Sequence, residues 1–165
     1  MAPQSPAKPD TEGRMPEHPI LFLDIDGVVI PFGETGIPSA CAHQLRRIVR
    51  EAGVGIVISS TWRMPPIERL LKVWRAAGLP ESWIVGVTPD LALSPDGRPD
   101  QLRGREIQAW LTANATAATR FAIVDDQCDD ISPCFPPEVV FATRSEYGLT
   151  RHMAENIIRW LTCRR

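Results

Sequence analysis

The run Ile20-Leu21-Phe22-Leu23 passes directly into Asp24-Ile25-Asp26-Gly27. A stretch apolar at consecutive positions reads as a strand buried on both faces, as in the middle of a parallel sheet. This one ends on two carboxylates separated by a single residue. Like charges disfavour joint ionisation, and burial penalises each of them. A divalent cation together with an incoming phosphate would remove that cost. The glycine behind them lets the chain turn sharply and brings backbone close to a ligand.

The rest of the chain alternates strand and helix. Ile20 to Asp24 is the first strand. Ser39 reads as the N-cap of a helix carrying Leu45, Ile48, Val49 and Ala52, which Gly53 stops. Val54 to Ile58 is a second buried strand. Pro65-Pro66 opens a helix with Ile67, Leu70, Leu71 and Trp74 on one face, closed by Gly78. Trp83 to Val87 is a third strand, followed by a proline-rich loop from Thr88 to about Asp100. Ile107, Trp110 and Leu111 mark a third helix. Phe121 to Val124 and Val139 to Ala142 are the last strands, and Thr150 caps a final helix through Met153, Ile157, Ile158 and Leu161. Such alternation predicts an α/β fold with a mostly parallel five-stranded sheet covered on both faces.

In sheets of this kind ligands bind beyond the carboxyl ends of the strands, where strand order reverses. Three polar clusters stand at those ends: Asp24/Asp26, Ser59-Ser60-Thr61 and Asp125/Asp126. An oxygen-only ligand set without His or Cys suits a hard cation such as Mg²⁺. The expected ligands are Asp24, one of the Asp125/Asp126 pair, and Asp26, the last through its backbone carbonyl. Asp24 is then placed to attack phosphorus, and Asp26 to move protons to and from the leaving and attacking oxygens. Ser59 would hold a phosphate oxygen. Arg103 and Arg105 flank the start of the third helix, and either one supplies the missing cation. Ser60 reads as a turn or capping residue beside bound phosphate. Arg63 reads equally as a phosphate contact or a surface ion pair, and Trp62 as packing or as a platform for a base.

These residues resemble the motifs of the haloacid dehalogenase (HAD) superfamily of phosphohydrolases. The first is Leu23-Asp24-Ile25-Asp26-Gly27-Val28, the second Val57-Ile58-Ser59, the third a basic residue at a helix start, and the fourth Ile123-Val124-Asp125-Asp126. The words LFLDIDGVV, ISSTWR, GVTPD, RGREIQAWL, IVDDQ and YGLT resemble more closely the HAD domain linked to Swiss Army Knife RNA repair proteins. The resemblance implies a three-layer Rossmannoid fold and a Mg²⁺-dependent phosphatase working through an aspartyl-phosphate. It further implies a substrate phosphate at a nucleic-acid 3′ or 5′ end, and RNA-repair partner proteins. The third motif departs from the family's more usual lysine, since both candidates here are arginines. The two loops where HAD enzymes insert a cap hold roughly a dozen and about fifteen residues, too few for a lid domain, so a capless site open to bulky substrates is expected.

Other classes stay in view. One is a non-catalytic phosphate- or RNA-binding module on the same fold; another is a phosphatase acting on proteins or small metabolites. The intact acidic set speaks against the first. An EF-hand reading fails because an apolar strand precedes the acids and no glutamate closes the loop. A net charge of −2 across 165 residues offers no basic field for extended nucleic-acid tracks or membrane surfaces. Cys41, Cys128, Cys134 and Cys163 have no paired spacing and read as reduced thiols of a cytoplasmic protein. No stretch is long and apolar enough to span a membrane. Residues 1–18, with Pro3, Pro6, Pro9 and Pro16 among polar neighbours, read as a disordered leader, and 19–165 as a single domain.

Overall fold

The computed structural model describes residues 18–93 and 99–163. The expected leader therefore lies outside the described residues, apart from His18, as does the middle of the proline-rich loop. Five strands, β1 (Ile20–Leu23), β2 (Gly55–Ile58), β3 (Ile84–Val87), β4 (Phe121–Asp125) and β5 (Val140–Ala142), form one sheet in the order β3-β2-β1-β4-β5. Every pairing is parallel. The helices are α1 (Ser39–Ala52), α2 (Glu68–Ala76), α3 (Leu102–Asn114) and α4 (Arg151–Thr162).

The order explains the layers. From β1 the chain steps to β2 and β3 in one direction, then returns past β1 to β4. Right-handed crossovers put connections running in opposite directions on opposite faces of a sheet. Leu70 and Trp74 of α2 accordingly pack with α1 and α4 against Leu21, Leu23, Ile56, Ile58 and Val124. On the other face, Ile107 and Trp110 of α3 meet Ile20, Phe22, Val57 and Ile123. Phe22 meets Trp110 edge-on at 5.4 Å between ring centroids. β1 is buried along its whole length, as an uninterrupted apolar run requires.

Two helix starts differ from expectation. Pro38, not Ser39, occupies the N-cap of α1: its carbonyl accepts from the Ala42 N–H at 2.9 Å, and Ser39 is already helical with no capping bond. α2 begins at Glu68, because the chain from Pro65-Pro66 to Ile67 is spent entering the helix. The other boundary signals hold. Gly53 ends α1 in the left-handed conformation at φ 65°, which a side chain would resist. The Thr150 hydroxyl accepts from the Met153 N–H at 3.3 Å at the head of α4.

Candidate active site

Strand order reverses at β1, between β2 on one side and β4 on the other. Leu23 is in register with Val124 and Ile58, so the next residue of each strand stands at the same height. The Asp24 N–H donates to the Val124 carbonyl at 3.0 Å, and the Ser59 N–H to the Leu23 carbonyl at 2.9 Å. Asp24 is thereby flanked by Asp125 and Ser59, at the crevice where the topology opens.

Carboxylate oxygens of Asp24, Asp125 and Asp126 come within 4.8 Å of one another, close enough for a single cation to bridge. Asp24 and Asp125 are 7% and 4% exposed. Burial raises the Asp24 carboxyl above its ordinary range. The Arg103 charge and hydrogen bonds from the Ser60 hydroxyl and the Ile25 N–H pull it back in part. Burial, then the Asp24 charge beside it, pushes Asp125 up to about 7, against the opposing Gln127 N–H bond and Arg103.

Asp126 is held by the Ser145 hydroxyl, which donates to its Oδ2 at 2.7 Å. Its carboxylate also fills the space a side chain at position 27 would need: a Cβ on Gly27 would sit 2.1 Å from Asp126 Oδ2. Gly27 has φ 73°, which glycine adopts without cost. Thr143 completes this wall by donating its hydroxyl to the Gly27 carbonyl at 2.8 Å.

Asp26 is exposed, and its side chain lies outside the three-carboxylate cluster. Its Oδ2 accepts from the Trp62 indole N–H at 2.7 Å. Ser59 is buried, and its hydroxyl has no hydrogen-bond partner. A buried hydroxyl left unsatisfied costs free energy that a ligand oxygen would recover. Ser60 lies inside, bonded to Asp24, rather than on the pocket surface.

Arg103 reaches over the pocket. Its guanidinium lies 3.8 Å from Asp24 Oδ1 and 4.0 Å from Asp125 Oδ2, and also donates to the Ser59 carbonyl. Arg105 does not line the cavity; its charge is felt by the Cys134 thiol. Arg63 is neither a pocket-lining residue nor a surface ion pair. It pairs with buried Glu106 at 2.7 Å and donates to the Ser60 carbonyl at 3.0 Å. The same Glu106 oxygen accepts from the Leu91 N–H at 3.1 Å, tying the loop after β3 to α3.

Sequence reasoning missed these supports. Glu106 sits in a helix as any surface glutamate would, and only packing shows it facing Arg63. Asp130 stands in an acidic loop where nothing local marks it out, yet its carboxylate accepts from the Arg103 N–H at 3.0 Å and its carbonyl from the Gly104 N–H at 3.2 Å. Trp62 packs partly into the core, with the Arg69 guanidinium 4.1 Å above its ring. That face is closed to a base.

The cavity has a volume of about 630 Å³ and is lined by Asp24, Asp26, Asp125, Asp126, Asp129 and Asp130, with Arg103 as its cation. Cys128 also lines it, but burial and the surrounding acids push its thiol up to about 12, so it offers no thiolate. A phosphate dianion entering this field meets net repulsion unless a multivalent cation comes with it. The donor set is all oxygen and the bridging distance is short, so the residues present fit Mg²⁺.

A parallel α/β sheet with a carboxylate-lined crevice at its switch point defines the class: a Rossmannoid domain of HAD type. Within that class the chain belongs to the family described as the HAD domain in Swiss Army Knife RNA repair proteins, whose model matches residues 20–154. This membership carries phosphohydrolase chemistry at the level of the superfamily. Neither the curated proteins nor the solved structures include a match. Among the described residues, no helix is long and apolar enough to cross a membrane.

Proposed function

We propose that the protein is a Mg²⁺-dependent phosphomonoesterase that works through an aspartyl-phosphate on Asp24. The observation that carries this reading is the convergence of Asp24, Asp125 and Asp126 within 4.8 Å, beside an unsatisfied Ser59 hydroxyl and the Arg103 guanidinium. Asp24, Asp125 and Asp126 would hold the ion, with Asp26 contributing only its carbonyl. When bound, the cation neutralises the repulsion between carboxylate and phosphate and polarises the phosphoryl group.

Asp24 attacks phosphorus as the bond to the leaving oxygen breaks, and Asp26 gives that oxygen a proton. Water then attacks the aspartyl-phosphate, Asp26 takes its proton, and the bond to Asp24 breaks. Ser59 and Arg103 hold the phosphoryl oxygens as charge builds. Arg103 therefore takes the third-motif role. Ser60 restrains Asp24, and Arg63 keeps the Ser59-Ser60 turn in place.

The surface around the cavity supports a bulky substrate with planar groups, namely the phosphorylated end of a nucleic acid. Among the described residues, the exposed large apolar side chains are Phe32, Met64, Val87, Leu93 and Tyr147. All lie at the carboxyl edge of the sheet, on loops or at the tip of β3. Phe32 and Tyr147 belong to loops joined by the Phe32 N–H donating to the Ser145 carbonyl at 2.7 Å. Ser145 is the residue that also holds Asp126. Both aromatic side chains thus stand on loops tied to the residue that holds Asp126, and bases next to a terminal phosphate would stack on them. The shortness of the two loops where a cap would insert supports a site open to such a substrate.

The test is turnover of an aryl phosphate and of phosphorylated oligonucleotides with Mg²⁺. Asp24→Asn abolishes both if the assignment is right, and activity surviving that change rejects it. Preference for sugar phosphates over oligonucleotide ends would reject the nucleic-acid substrate while leaving the chemistry standing.

A further inference from the structure

We propose that Trp62 is a positioning residue for Asp26, holding Oδ2 so that Oδ1 is the oxygen that exchanges a proton with the substrate. The inference rests on the phosphatase reading above and adds a part to it. The Trp62 indole N–H donates to Asp26 Oδ2 at 2.7 Å. An indole nitrogen only donates. Oδ2 must therefore stay an acceptor while that bond lasts, and the transferable proton sits on Oδ1. An exposed aspartate side chain otherwise samples several rotamers, which a general acid cannot afford.

The turn that carries the indole is held by two hydrogen bonds, and the ring by a cation over its face. The indole belongs to the short 3-10 turn Thr61–Arg63, whose first bond is the Trp62 N–H to the Ser60 hydroxyl at 3.4 Å. Arg63 clamps the same turn through the Ser60 carbonyl. The Arg69 guanidinium covers the ring from the first turn of α2. The packed indoles of Trp74 and Trp160 donate to backbone carbonyls, of Pro80 at 3.0 Å and of Phe121 at 2.8 Å, which serves packing alone. The Trp62 indole N–H instead points at the one exposed carboxylate that flanks the Asp24 crevice from the same β1 loop.

In the first half-reaction the bond from Asp24 oxygen to phosphorus forms and the bond from phosphorus to the leaving oxygen breaks. The proton moves from Asp26 Oδ1 to that leaving oxygen. A basic alkoxide needs this proton, whereas nitrophenolate leaves nearly as well without it. The value of kcat/KM reports this half-reaction alone. Trp62→Phe should therefore lower kcat/KM by about tenfold or more on ethyl phosphate and by less than about threefold on p-nitrophenyl phosphate, part of the 10²–10⁴ that general acid catalysis supplies. Asp26→Asn should give the same pattern, enlarged. Equal losses on both substrates, or no loss on either, would overturn the proposal.

A second readout needs no turnover. In the metal-free protein the Trp62 indole N–H resonance, identified by its disappearance in Trp62→Phe, should move in Asp26→Ala while that of buried Trp74 stays. An unmoved Trp62 signal would overturn the proposal whatever the activity. Loss of all phosphatase activity in the unmodified protein would instead overturn the reading on which it rests.

Discussion

Burial and the Asp24 charge raise the Asp125 carboxyl from 3.8 to about 7, and this makes the metal-free fold sensitive to pH. Between about 4 and 7 the folded chain keeps a proton that the unfolded chain has released. The native state then binds more protons, so stability falls as pH rises through that window. Asp24 is raised as well and adds to the same slope. A cation needs these carboxylates ionised, so its stabilisation runs the other way. The melting temperature in EDTA should fall from about pH 5 to about pH 7.5, and Mg²⁺ should raise it more at the higher value. Equal shifts at both would argue against carboxylate ligation. Gly27 is the other sensitive residue. Gly27→Ala meets Asp126 at 2.1 Å and takes on a left-handed backbone that costs about 1–2 kcal/mol by itself. Both denaturant stability and Mg²⁺ affinity should drop; a change in stability alone would mean that Asp126 is not a ligand.

α3 is placed by contacts that its own sequence hardly signals. Replacing glycine by alanine inside a helix ordinarily stabilises by about 1 kcal/mol. At Gly104 the sign should reverse, because a Cβ there would lie 2.6 Å from Cys134 Sγ and 2.8 Å from the Asp130 carbonyl. Gly104→Ala should lower the melting temperature. It should also reduce turnover by shifting Arg103, the residue before it. A neutral or stabilising outcome would show that α3 docks more loosely than this. The Arg63–Glu106 pair is the second anchor. Removing one member of a buried ion pair typically costs about 3–5 kcal/mol, since the other charge is left uncompensated. Glu106→Ala should approach that loss in chemical denaturation, and a cost under about 1 kcal/mol would reject a buried pair.

At the scale of the whole molecule, the all-parallel order puts every βα loop on one edge, so a core that is apolar on both faces opens there onto an acidic crevice. The exposed aromatics share that edge, and their contribution is separable from the chemistry. Phe32→Ala with Tyr147→Ala should raise KM for a phosphorylated oligonucleotide by about tenfold or more, in line with base stacking worth about 1–3 kcal/mol per base. The same variant should leave p-nitrophenyl phosphate unaffected. Equal effects on both substrates would remove the stacking role.

The strand order of acids, the α/β alternation and the core faces were legible in the sequence because each is local. A buried strand must read Ile20-Leu21-Phe22-Leu23, and a turn beyond it must carry its polar residues in a row. The choice between Arg103 and Arg105, the burial of Arg63 against Glu106, the docking of α3 on Asp130 and the bond from Trp62 to Asp26 were not legible. They join residues far apart in the chain, and hydrophobic periodicity carries no information about which polar group a distant one will meet. Sequence alone determined that carboxylates would gather at one end of a parallel sheet. Tertiary packing decided which side chains aim and restrain them, because a buried charge or hydrogen-bonding group must find a partner in whatever element the fold brings beside it.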